Sequence, residues 1–122
     1  METLDFESDL IVAIDRIDSV NILRIKGSIS ITDQLKVEKI TDTFISQNKN
    51  KIVFDLQQLR FIDSSGIGFF LKFYKQLKKH GGKMAFINLQ PQVKNIMELA
   101  LVNLLDELYF PTEEEAVDRL SY

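Results

Sequence analysis

The first chemistry to test lies in residues 61–70, FIDSSGIGFF, where Asp63, Ser64, Ser65 and Gly66 interrupt two apolar runs. An acid beside two hydroxyls suggests a nucleophile with a helper, and so acyl transfer. The parts for it are missing. There is no Gly-x-Ser-x-Gly turn, and His80 is the one histidine that could serve as base. A helix running from Ser65 to His80 would hold them roughly 20 Å apart at about 1.5 Å per residue, far beyond hydrogen-bond reach. A nucleotide enzyme has no better footing: Gly66-Ile67-Gly68 lacks the third glycine of a dinucleotide turn, and no Walker lysine follows. No catalytic residue is assigned.

Two readings of the segment remain. In the plain one, Asp63 or Ser64 caps a helix, while Gly66 and Gly68 keep its entrance slim for close packing; the cap is worth about 1 kcal/mol. In the other, a serine in the first helical turn accepts a phosphoryl group. The free N–H groups and the dipole at a helix start favour the added negative charge, so such a site switches charge at little cost to the fold.

The elements that must position this segment are legible from apolar spacing. LIVAIDRI and VNILRIK, separated by Asp18-Ser19, predict a β-hairpin. Leu23 and Ile25 alternate with Arg24 and Lys26, one face meeting a core and the other water, until Gly27 breaks the pattern. Val37, Ile40 and Phe44 recur at helical spacing, predicting a helix over 32–47 with Ser30 or Thr32 as its cap. Residues 51–56, KIVFDL, suit a buried central strand. A helix then runs from the motif to about Lys79 and stops at Gly81-Gly82. KMAFINL is a further strand, Pro91 opens a helix through Leu101, and Leu108-Tyr109-Phe110 reads as a last short strand. Thr112 to Glu115 has the form of a capping box ahead of a final helix. The expected order is ββαβαβαβα: an α/β fold whose mixed, mainly parallel sheet has about five short strands and four helices. In that class, ligands and partners dock at the carboxyl edge of the sheet, where residues 63–66 fall.

Composition narrows the function classes. With 122 residues, 45% hydrophobic and 27% charged, one domain over 1–122 is expected. The chain has no cysteine, so disulfides, thiolate metal sites and a cysteine nucleophile are excluded, and a lone histidine excludes a His-rich metal cluster. No metal or other cofactor is expected. A net charge of −3 argues against nonspecific nucleic-acid binding. The basic run Lys72, Lys75, Lys78, Lys79, His80 and Lys83 reads as a solvated helix face or as a match for an acidic partner patch. No apolar run approaches the roughly 20 residues of a membrane span, and METLDFESD has no signal-peptide character, so a cytoplasmic protein is expected.

The run Phe61-Ile62-Asp63-Ser64-Ser65-Gly66-Ile67-Gly68 resembles the signature of the bacterial anti-sigma-factor antagonists of the STAS domain family. Residues 51–56, KIVFDL, resemble the strand before that signature; residues 74–78 and Gly81-Gly82 resemble the helix and double glycine after it. Gly27 followed by Ser28-Ile29-Ser30 sits where the family usually has a Gly-x-Leu-Asp loop. The resemblance implies that Ser65 is phosphorylated and that the partner is an anti-sigma factor that is also a serine kinase. Unphosphorylated antagonist would bind that kinase and free the sigma factor, and a serine phosphatase would reverse the mark. The chain itself would be no enzyme, and a monomer or weak dimer.

Asp63 would shape the loop, and Ser64, Ser65 and Gly66 would meet the partner. Ser30 departs from the family's usual aspartate beside the loop, which bears on kinase recognition. Phe73 stands at an often polar position and forms an aromatic pair with Phe69, either extra core or an exposed partner-docking stripe. The alternative function is a STAS scaffold module, assembling a signalling or lipid-transport complex without a phosphorylation cycle. A stand-alone domain of this length with no membrane segment favours the antagonist.

Overall fold

The structure, a computed structural model, describes residues 9–122. The first two strands, β1 (Ile11–Ile17) and β2 (Val20–Ile29), form an antiparallel hairpin. Its turn is Asp18-Ser19, with Asp18 at φ 55°, a left-handed conformation that Asp accepts more readily than most residues. Helix α1 (Gln34–Ser46) crosses to β3 (Lys51–Ile62), and α2 (Ser64–Lys79) crosses to β4 (Lys83–Ile87). The sheet order is β1-β2-β3-β4, with β2, β3 and β4 parallel. This is the expected mixed, mainly parallel sheet, with four strands rather than five.

Leu108-Tyr109-Phe110 is the strand that does not form. Tyr109 makes only a single bridge to Phe86, and the chain before it coils into α4 (Asn103–Leu108), directly after α3 (Pro91–Leu101). With α5 (Glu113–Ser121), the described helices number five, not four. The reason is burial: Leu105 and Leu108 fill the space above β4 at helical spacing, which an extended chain there would leave open.

One face of the sheet carries the main core. Leu23, Ile25, Phe54, Leu56 and Phe86 from the strands meet Val37 of α1, Phe70 and Phe73 of α2, and Val93 and Met97 of α3. The other face packs Val20, Ile22, Val53, Ala85 and Ile87 against Ala116, Val117 and Leu120 of α5. Helix α5 is capped by Thr112, whose Oγ1 accepts from the Glu115 N–H at 3.1 Å, as expected of its capping sequence. Arg24 pins this side, pairing with Asp15 of β1 (2.7 Å), Asp55 of β3 (2.8 Å) and Glu113 of α5 (2.7 Å). The hydrogen bonds it donates to Glu113 and then to Asp15 push its pKa up, so it stays charged.

Phe69 and Phe73 belong to the core, not to a docking stripe, which corrects the exposed alternative. They are 2% and 1% exposed, with rings nearly parallel at a 6.0 Å centroid separation. Phe73 also meets Phe54 edge-on at 5.8 Å. Phe69 also lies 5.1 Å from Phe70, so the two rings join the aromatic cluster around Phe54.

Candidate functional site

Asp63 is the N-cap of α2, in extended conformation at φ −107° and ψ −173°. Its Oδ1 accepts three hydrogen bonds: from the Ser65 N–H (3.0 Å), the Gly66 N–H (3.1 Å) and the Ser65 hydroxyl (2.6 Å). The Ser65 hydroxyl bond is the main reason the Asp63 carboxyl lies below its ordinary pKa, with burial opposing and the Gly66, Ser65 and Ile31 backbone amides assisting. A carboxylate held this way is a weak base. It orients the Ser65 hydroxyl and does not take its proton.

Gly66 explains why the turn is so tight. A Cβ there would stand 2.6 Å from Ile62 Cγ1 and 2.8 Å from the Ile29 carbonyl oxygen, so the first turn of α2 lies directly on the ends of β2 and β3. Gly68 has open space around it, and nothing in the structure requires a glycine there. Ser65, at the second helical position, is half-buried; Ser64 is exposed.

The loop after β2 runs beside this turn, joined to it by the Asp63 N–H donating to Ile29 O at 3.2 Å. Ser30 stands in that loop, half-buried, and its hydroxyl donates to Asp33 Oδ2 at 2.7 Å. The Ser30 N–H donates to the same oxygen at 3.1 Å. Asp33 is buried and precedes α1 without capping it by side chain. Sequence reasoning passed over Asp33; an acid just ahead of a helix looks like an ordinary cap. The structure thus brings Asp63, Ser64, Ser65, Gly66 and Ser30 to one edge, and places Phe69 and Phe73 beneath it.

His80 lies at the opposite end of α2, its Nδ1 2.9 Å from the Gln76 carbonyl oxygen, out of play for Ser65. Among the described residues no group of His, Asp or Glu could hold a metal ion, and no helix is long and apolar enough to cross a membrane.

A sheet with helices mainly on one face, and a capped serine turn at its carboxyl edge, defines a recognisable class. The family model for the STAS domain matches residues 12–116, and the chain belongs to that family. Within it, the chain is similar to the anti-sigma F factor antagonist of Paenibacillus polymyxa, 32% identical over 66% of this chain and 70% of that one. The anti-sigma F factor antagonist of Lysinibacillus sphaericus is 28% identical over 67% and 68%. Among solved structures, the anti-sigma factor antagonist SpoIIAA in its unphosphorylated form superposes with TM-score 0.77, at 23% identity over 91% of this chain and 96% of that one. The phosphorylated form of Bacillus SpoIIAA gives TM-score 0.72, at 23% identity over 89% and 98%.

Proposed function

We propose that this chain is an anti-sigma-factor antagonist controlled by phosphorylation of Ser65, acting in the cytoplasm of a bacterium. Unphosphorylated, it binds an anti-sigma factor with serine kinase activity and releases the sigma factor. The observation that carries this reading is the Ser65 hydroxyl, presented at the start of α2 and aimed by Asp63 at 2.6 Å. The names of the relatives and the two solved states of SpoIIAA support it.

In the transfer, Ser65 Oγ forms a bond to the γ-phosphorus of ATP, the bond from that phosphorus to the bridging oxygen breaks, and ADP leaves. The hydroxyl proton goes to a base on the kinase, and Asp63 holds the hydroxyl in place until then. Phosphoserine then carries about 1.5 to 2 negative charges. Unit like charges near 4 Å repel by about 4 kcal/mol at an effective dielectric of 20, so the phosphate turns away from Asp63. Asp63 keeps its bonds to the Ser65 and Gly66 amides, and the helix start survives. A partner carboxylate facing this turn meets the same repulsion and leaves. A phosphatase restores the hydroxyl. The chain catalyses neither step.

The test is a titration of Ser65→Ala, Ser65→Asp and Ser64→Ala against a kinase-type anti-sigma factor, with intact-mass analysis after ATP. Ser65→Ala binds and takes no phosphate, and Ser64→Ala is still phosphorylated. Ser65→Asp binds about a hundredfold more weakly than Ser65→Ala, less than the full effect of phosphate because it adds one charge. Equal binding by Ser65→Asp and Ser65→Ala would reject the charge switch and leave the scaffold reading.

A further inference from the structure

Strand β1 is an edge: among the described residues it pairs with β2 on one side and with no strand on the other. The opposite edge, β4, is partly closed by the Phe86–Tyr109 bridge. An open edge of seven residues is ordinarily guarded by proline, a bulge or free charges. Here IVAIDRI has neither proline nor glycine, and its pairing with β2 is regular from Ile11 to Ile17. Its two charges are already engaged within the chain, Asp15 with Arg24 and Arg16 Nε with the Asp18 carbonyl at 3.0 Å. Ile11, Ile14 and Ile17 are left 56%, 50% and 38% exposed.

The spacing of these isoleucines is symmetric about Ile14. A two-fold axis normal to the sheet keeps each face on its own side, so strands paired across it must oppose residues that point the same way. Centring the axis on Ile14 satisfies this. It sets Ile14 against Ile14 on one face and Ile11 against Ile17 of the other copy, at both ends, on the opposite face. Asp15 then opposes Ala13. Centring on Asp15 would oppose two like charges, and centring on Ala13 would set Ile11 against Asp15. We infer that β1 is a homodimerisation edge, pairing antiparallel with β1 of a second copy about Ile14 to give a continuous eight-stranded sheet. The symmetric spacing of the three isoleucines is what commits the edge to a second copy, since an unrelated strand has no reason to match it; Val12 then lies beside the aliphatic stem of Arg16. The axis sends the two Ser65 turns to opposite ends of the joined sheet, so both stay accessible.

Sedimentation equilibrium of the whole chain from about 1 μM to about 1 mM tests this. The wild type forms dimers as concentration rises. Ile14→Lys, which opposes two ammonium groups at the axis, weakens the dimer about a hundredfold. Leu99→Lys, on an exposed position of α3, leaves it unchanged. The register has its own test. Ile11→Lys combined with Ile17→Glu sets opposite charges together across the interface and keeps the dimer; Ile11→Lys combined with Ile17→Lys abolishes it. Circular dichroism and melting confirm that each variant is folded. A wild type monomeric to the top of the range, an Ile14→Lys chain that dimerises like wild type, or equal behaviour of the two double variants overturns the proposal.

Discussion

The two loops at the carboxyl edge of the sheet use the same chemistry in opposite directions. In each, a serine hydroxyl donates to a nearby aspartate, Ser30 to Asp33 at 2.7 Å and Ser65 to Asp63 at 2.6 Å. Asp33 reaches back along the chain to the Ser30 amide, whereas Asp63 reaches forward to the amides of a helix start. Both serines are half-buried, so exposure does not distinguish them. Their place relative to a helix does. A charge added at Ser65 stands inside the first turn of α2, beside Asp63, whose carboxylate already accepts from the Ser65 and Gly66 amides; one added at Ser30 stands ahead of α1, beside the buried Asp33 carboxylate. Under the proposed function, the serine that carries the switch is the one inside a helix start, Ser65.

The largest effect expected lies in the core between α2 and the sheet that carries both loops. Phe73→Ala removes a ring stacked on Phe69 and edge-on to Phe54, and should cost about 3–5 kcal/mol, read as a lower denaturation midpoint with an unchanged denaturant slope. A loss under 1 kcal/mol would mean that the Phe73 ring is not part of the core.

Next comes the seat of the second loop alone. Gly66→Ala forces a methyl against the Ile29 carbonyl and should cost about 1–3 kcal/mol. Gly68→Ala, with space around it, serves as the control and should not destabilise through packing. Equal losses at the two positions would show that helix propensity, not contact with the strand ends, governs this turn.

The smallest effect isolates the serine–acid bond. The Asp63 carboxyl is held below its ordinary pKa, chiefly by the Ser65 hydroxyl. Its contribution to stability is therefore full above the unfolded value near 4 and is lost as pH falls through the lower folded value. Ser65→Ala should move the Asp63 titration, followed by carboxyl-carbon NMR, toward higher pH. An identical titration in both proteins would mean that the backbone amides alone hold the charge.

Much of this arrangement was legible in the sequence because local signals agreed with the tertiary outcome. Asp18-Ser19 between two apolar runs is the hairpin turn, and Gly81-Gly82 ends α2 with Gly81 at φ 69°. The illegible parts are those where one element decides another's environment. Strand β3 runs on to Ile62 because its pairing with β2 shifts register between Arg24 and Lys26 and again between Gly27 and Ser28, which spoils the alternation that marks a strand. Helix α4 has only six residues, too few for a helical period to stand out. The burial of Phe69 and Phe73 is set by the aromatic cluster they join with Phe70 and Phe54, which α2's own spacing does not encode. Arg24 looks like an outward residue on a two-sided strand; only pairing reveals its three acids.

The far end of α2 is fastened as firmly as its start. The Gly82 N–H closes onto the Leu77 carbonyl at 2.7 Å, and the Lys83 N–H donates to the Asn50 carbonyl at 2.8 Å. The Asn50 side chain in turn donates to the His80 carbonyl at 3.1 Å. A Cβ on Gly82 would stand 2.5 Å from the Asn50 oxygen, so backbone lies against backbone there. A helix anchored at both ends cannot work as a piston. Under the proposed function, a phosphate on Ser65 would act as a change in surface charge rather than a displacement relayed through the domain, and its reader would have to touch it.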